Sequence, residues 1–407
     1  MDLYCNSNCF NIYLISFKWG IVKKEASSIK KNLNQNFTVI GPKAYIDSSR
    51  LKNNILSIKK SIGDRYLMLV IKANGYGHSA LKIANILKSD NMLIFCTFSI
   101  GEALIIRKNG IKNKIFIFSK LQEEWLHLAQ KHNIWVNASN LDDLVLLKRF
   151  FIKNNTCPKI HLKFDTGMTR LGFDWSDSQN VFDYILQNSF LPVEGIYSHF
   201  ATADEGDLSF VKTQMERFNS ILRNGGEKGV QFKYIHCSNS GAILNNYGKK
   251  FNTVRVGMLA YGIAPSDEVS MGIDVEPVMS FCGPIVNLRR VPKDTPISYG
   301  GKYSTKKETT IGVVQMGFAD GVPRAWYENG YVAYNGKQYN IAGRICMDQF
   351  MVDFGDTKPK LGDEVLVFGK TKSDFIPVET IAKKIHTTTY VLLAAINGRT
   401  EYIIKEN

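Results

Sequence analysis

The chain has few of the patterns that identify a function at sight. Its 407 residues hold seven cysteines, at 5, 9, 96, 157, 237, 282 and 346, and none forms a C-x-x-C pair. That scatter excludes a zinc cage, a disulfide framework and a metal centre built on cysteine, and it suits a reducing, cytoplasmic compartment. No apolar run spans a bilayer: the stretch 10–22 is interrupted by Lys18 and falls short of the roughly 20 residues required. A secretory signal would open with basic residues, but Asp2 is the one charge ahead of that stretch. Neither G-x-G-x-x-G nor G-x-x-x-x-G-K-[ST] occurs, so the usual nucleotide-binding folds lack their phosphate loops. Lys and Arg number 51 against 37 Asp and Glu, a formal charge of +14, but the lysines are spread along the chain. No basic run is interleaved with aromatics, which argues against a nucleic-acid partner and leaves a field that draws in small anions.

From about residue 66, short apolar runs alternate with amphipathic segments. Runs at 66–73, 93–99, 115–119, 134–139, 159–166, 192–199, 234–240 and 253–262 are continuous and rich in Ile, Val and Phe, as parallel strands covered on both faces are. Helical patterns fall between them, at 79–88, 100–109, 122–133, 141–153 and 208–225, and Gly110 stops the second. Eight such units predict an α/β fold, a (β/α)8 TIM-type barrel over 38–275. A doubly wound open sheet is the competing arrangement. Beyond 275, short runs at 278–286, 309–315, 331–334, 338–341, 349–352 and 364–368 are separated by Gly, Asp, Asn and Pro. They predict a mostly antiparallel C-terminal β domain over 276–407, with a helix near 378–384. Residues 1–37 read as a poorly ordered leader.

A barrel carries its chemistry where its strands finish. Lys72 ends the first predicted strand and His199 the sixth; Ser240 follows the seventh with Asn239 beside it; Arg255 and Gly257 lie on the eighth, and Arg170 in the loop after the fifth. Each alone is more often structural, and Lys72 alone can reach out to solvent. Five at one rim point to a site. An amine at the end of an apolar strand loses hydration, so its pKa falls and the free base can condense with an aldehyde. Tyr76 and Gly77, where the next loop enters a helix, supply donors suited to a phosphate.

The segment "VIKANGYGHSA" (70–80) resembles the cofactor-lysine motif of the alanine racemase family. Seven further segments resemble it in the same order: "HLKFDTGMTRLGF" (161–173), "SHFATADE" (198–205), "HCSNSGA" (236–242), "VRVGMLAYG" (254–262), "ISYGGKY" (297–303), "GFADGVPR" (317–324) and "GRICMDQ" (343–349). The likeness begins near Ala44, in "AYIDSSRLKNN", and runs to the C-terminus.

The resemblance implies a barrel followed by a β domain, a homodimer with shared active sites, and pyridoxal 5'-phosphate held on Lys72. It implies an amino-acid racemase that interconverts L- and D-alanine and supplies peptidoglycan. Lys72 and Tyr299, the latter given by the partner subunit, become the two acid/base groups, since inversion removes a proton from one face and returns one to the other. A tyrosine with a reference pKa of about 10 needs tuning, and the resemblance places His199 and Arg255 in that network. Arg255 faces the cofactor's ring nitrogen, and a guanidinium does not give up its proton. Phosphate contacts pass to Tyr76, Ser240, the Gly257 backbone and Tyr390. Arg170 reaches the substrate carboxylate, Met347 and Asp348 come to the pocket from the partner, and Lys163 is a candidate for carbamylation. Asp204, Phe318 and Arg324 match the access channel, where Phe318 replaces the usual tyrosine. Val391 stands where an acidic residue is usual, and the ending "NGRTEYIIKEN" keeps Arg399 without a second arginine. Alternatives are a serine or broad-specificity racemase, a basic-amino-acid decarboxylase of the same fold, which pairs its ring nitrogen with a carboxylate, and a carrier resembling the barrel alone.

Overall fold

Eight parallel strands close on themselves. Tyr66–Val70, Ile94–Thr97, Lys114–Ile117, Ile134–Ala138, Ile160–Asp165, Val193–Tyr197, Tyr234–His236 and Thr253–Val256 each pair with the next, and the last returns to the first with Arg255 opposite Met68. The structure is a computed structural model that describes residues 40–406, so the expected leader at 1–37 lies outside the described residues. Every strand is shorter than its apolar run: Ile71 and Phe118 lie beyond the strand ends at the rim, though their N–H groups still donate to Cys96 O and Thr97 O of the neighbouring strand.

The runs are continuous because both strand faces are covered. One face packs under helices Ala80–Leu87, Ile100–Lys108, Glu123–Lys131, Leu141–Asn154, Ser178–Gln187 and Ser209–Glu227. The other fills the axis with Met68, Val70, Ile94, Cys96, Phe116, Trp135, Tyr197 and Tyr234. Polar side chains are buried there too, among them Asn137, His161, Lys163, His236 and Arg255. Helix Ser48–Ile62, which precedes the barrel, closes it after the eighth strand: Asn54 Nδ2 donates to Ala260 O at 3.1 Å and to Glu276 O at 2.8 Å.

The second sheet is mostly antiparallel and is built on the long strand Met279–Val291. Glu364–Lys370 flanks its first half and Thr309–Val314 its second, with Tyr331–Tyr334, Lys337–Asn340 and Phe350–Asp353 further out. One expectation needs correcting. Lys43–Asp47 falls within the 38–275 span read as barrel, yet it pairs antiparallel with 279–282 and parallel with Glu401–Lys405. Ala44 and Ile46 are buried in that sheet, and Tyr45 Oη donates to Glu364 Oε2 at 2.7 Å. Among the described residues no helix is long and apolar enough to cross a membrane.

Candidate active site

The first strand leads into a left-handed turn. Ala73, Asn74, Gly75 and Tyr76 have φ of 50°, 54°, 67° and 51° in succession, a conformation that disfavours side chains with a Cβ. Tertiary contacts hold it: Ala73 N–H donates to Glu102 Oε1 at 2.8 Å, and Ala80 N–H to Asn74 Oδ1 at 3.1 Å. His78 Nδ1 lies 2.9 Å from Tyr76 O, and its ring stacks on Tyr261 at 4.4 Å. The reversed turn swings Tyr76 back across the barrel mouth, where its hydroxyl stands over Gly257. A Cβ on Gly257 would lie 3.0 Å from Tyr76 Oη, so glycine keeps this cradle open.

The mouth holds a cavity of about 570 Å³, lined by Lys72, Tyr76, Lys163, Arg170, His199, Asp204, Ser240, Arg255, Gly257 and Tyr390 among others. Ten of the residues expected from sequence therefore meet at one place. Four cations face one carboxylate there, an excess suited to a phosphate and a substrate carboxylate. Burial lowers the Lys72 pKa, and the neighbouring Arg170 charge lowers it further. Lys163 is pushed down to about 8, by burial first and then by Arg170 and Arg255. Asp204 is raised by burial, and Tyr390 is pushed up to about 12 for the same reason. Gly257 N–H donates to Ser240 Oγ at 3.3 Å, while the tyrosine rings at 76 and 390 stand 5.9 Å apart.

Arg255 is fully enclosed and fixed by five acceptors. It donates to the carbonyls of Ser198, His236 and Cys237, to His236 Nδ1 at 2.7 Å and to His199 Nδ1 at 2.9 Å. His199 is held well below its ordinary pKa by burial and then by Arg255, and its Nδ1 accepts from the guanidinium. Sequence reasoning missed Glu102, His161 and His236. For His161 a signal was present: it stands two residues before Lys163 and so shares its strand face.

Tyr299, Phe318, Arg324, Met347 and Asp348 are not brought to this chain's own cavity. They lie on the β domain, where Tyr299 is 69% exposed and Met347 56%. Their loops are stitched together. Phe318 N–H donates to Cys346 O at 3.1 Å, Ala319 N–H to Met347 O at 3.0 Å, and Ser298 Oγ to Arg344 O at 2.7 Å. Arg324, itself exposed, opens the turn Arg324–Tyr327 on the same domain, whose Trp326 is buried.

A desolvated amine, a phosphate cradle, excess positive charge and a buried arginine inside a barrel fit pyridoxal phosphate, and with the second domain they define an enzyme of that cofactor class acting on amino acids. Among the described residues no group of three His, Cys, Asp or Glu could hold a metal ion. Residues 46–265 match the family model "Alanine racemase, N-terminal domain", and 278–404 match "Alanine racemase, C-terminal domain". The alanine racemase of Desulforamulus reducens is 34% identical over 88% of this chain and 96% of its own length. Alanine racemase 1 of Bacillus subtilis is 33% identical over 89% and 93%. The solved Clostridium difficile 630 alanine racemase superposes with a TM-score of 0.85 at 31% identity, covering 91% of this chain and 97% of that one. That of Bacillus anthracis, solved with bound L-Ala-P, gives 0.82 at 30%, covering 90% and 95%. The chain belongs to the alanine racemase family and is a pyridoxal-phosphate-dependent isomerase.

Proposed function

We propose that the chain racemises alanine as a homodimer, each cavity being completed by Tyr299 of the partner subunit, with Lys72 and that phenol as the two proton handlers. The observation that carries this reading is the division of groups within one chain: the amine lies in the cavity, while Tyr299, Met347 and Asp348 stand exposed on the other domain. Inversion needs proton carriers on opposite faces of the substrate carbon, and on this reading Lys72 is the one from the cavity's own chain and Tyr299 the one from its partner.

Bound pyridoxal phosphate supplies an electron sink that acidifies the substrate's α-hydrogen. Lys72 holds the cofactor and then, as a free amine, takes or returns a proton at Nζ. Tyr76, Ser240, the Gly257 backbone and Tyr390 bind its phosphate. Arg255 has only donors to offer the ring nitrogen and keeps its own proton, which restrains full delocalisation and with it side reactions such as transamination. Arg170 binds the substrate carboxylate. The Lys163 amine, adding to carbon dioxide with loss of one proton, becomes a carbamate that faces Arg170. Asp204, with Phe318 and Arg324 of the partner subunit, borders the access channel, and Met347 and Asp348 of the partner subunit close the pocket. Tyr390 narrows that pocket and favours alanine over larger substrates. In a bacterial cytoplasm the D-alanine feeds peptidoglycan.

Tyr299→Phe tests the assignment. Racemisation falls by about a thousandfold or more, in the range general acid–base groups contribute, while the bound-cofactor absorbance persists. Full racemisation by that variant in both directions refutes the two-base scheme, and a panel of L-amino acids separates alanine from serine as the preferred substrate.

A further inference from the structure

The barrel axis contains a polar chain that the chemistry above leaves unused. Arg255 Nη1 donates to His236 Nδ1 at 2.7 Å, and His236 Nε2 lies 2.9 Å from His161 Nδ1. All three side chains are buried. A guanidinium has only donors, so the His236 Nδ1 it meets is bare and that ring carries its proton on Nε2. The proton points at His161 Nδ1, which must be bare in turn and leaves His161 protonated on Nε2. One arginine thus dictates the tautomers of two imidazoles.

The path is a built one. His161 and His236 stand on Ile160–Asp165 and Tyr234–His236, which are not neighbours, since Val193–Tyr197 runs between them. At that level the middle strand carries Gly195, where a Cβ would fall 2.4 Å from His161 Nδ1. His236 lies flat on Tyr197, with 4.7 Å between ring centres and 6° between planes. Phe116, Trp135 and Tyr234 box His161, whose Nε2 has no hydrogen-bond partner among the described residues. An unpaired buried donor is a standing cost that an apolar residue would avoid. The other edge of the ring gives the reason to keep it.

We infer that His161 and His236 are positioning residues that lock the Arg255 guanidinium and, through its Nη2 bond to His199, set the donor geometry of the cofactor site. The inference rests on the reading of Arg255 as the group facing the cofactor. Gly195 is the gap that lets the lock form.

Nitrogen-15 spectra of the histidine side chains in the holoenzyme report each ring nitrogen without reference to turnover. Bare Nδ1 and protonated Nε2 are expected at 161, 199 and 236. In His161→Leu His236 keeps its proton on Nε2 but that nitrogen's signal shifts as the donor loses its acceptor, the bound-cofactor absorption band shifts, and kcat falls about tenfold while KM changes less than about twofold, as loss of an outer-shell partner does. His161→Asn, whose Oδ1 takes the place of Nδ1, restores all three. Gly195→Ala, which drives the ring aside, reproduces the loss. A protonated Nδ1 at 161 or 236 in the unaltered enzyme overturns the inference, and that spectrum needs no variant to fold. An unchanged His236 signal in His161→Leu also overturns it. If Tyr299→Phe stays active while the spectra are as expected, the two-base scheme falls and the lock stands.

Discussion

Lys72 and Lys163 are both driven toward the neutral amine, by burial first and by Arg170 second, and each shift is opposed by one carboxylate, Glu102 at Lys72 and Asp165 at Lys163. For Lys163 the linkage can be followed through. Its folded pKa of about 8 lies below the ordinary 10.5. Between those values the unfolded chain binds more protons than the folded one, so stability rises with pH across that window. Below about pH 8 both states are charged and the burial penalty is fully present. Urea midpoints of the apoenzyme in bicarbonate-free buffer are expected to rise from pH 8 toward 10.5, and Lys163→Met flattens that rise. Bicarbonate flattens it in the unaltered chain too, by capping the amine as a carbamate, and leaves the methionine variant untouched. A bicarbonate-insensitive slope in the unaltered chain argues against carbamylation.

Among the elements, the left-handed turn at 73–76 depends most on what surrounds it. Each non-glycine residue so placed costs about 1–2 kcal/mol, and Ala73 and Tyr76 have no local reason to accept it. Glu102 supplies one: besides Ala73, it accepts from Phe98 N–H at 2.7 Å and Ser99 N–H at 3.2 Å, completing the capping box of Ile100–Lys108. One carboxylate therefore joins two rim loops. Glu102→Ala is expected to cost about 1–2 kcal/mol in urea unfolding, by loss of the cap and the bridging bond, and to release cofactor severalfold faster on gel filtration. Unaltered retention would show that the turn stands without it. These dependences also mark what the sequence makes legible. Strands buried on both faces announce themselves as apolar runs, and barrel closure then brings Lys72, Arg170, His199, Ser240 and Arg255 to one rim. The turn is hidden because its support lies one βα unit further on. Lys43–Asp47 is hidden because its sheet partners are more than 200 residues away at 279–282 and 401–405. His236 is hidden because only strand register and the gap at Gly195 reveal what it meets.

At the scale of the whole molecule, the exposed face of the β domain is braced by its own side chains although, among the described residues, nothing covers Tyr299, Met347 or Asp348. Arg399 clamps the buried Asp320 with Nε at 2.9 Å and Nη2 at 3.0 Å, and extends Nη1 to Asp348 at 2.7 Å. Gly317 packs so closely that a Cβ there would lie 2.1 Å from Met347 O. Such ordering of Met347 and Asp348 favours docking onto a second copy with little further loss of entropy. Arg399→Ala leaves Asp320 short of two donors, and dimer dissociation monitored by sedimentation is expected to strengthen about fivefold. Shared sites make a sharper demand, because each cavity then takes Lys72 from one chain and Tyr299 from the other. Lys72→Ala and Tyr299→Phe homodimers are both inactive on that arrangement. Unfolding and refolding an equal mixture yields about half heterodimers, each with one doubly damaged and one intact site, so activity returns to about a quarter of the unaltered level. If each chain instead completed its own site, every cavity in the mixture would carry one lesion, and reassortment would recover nothing.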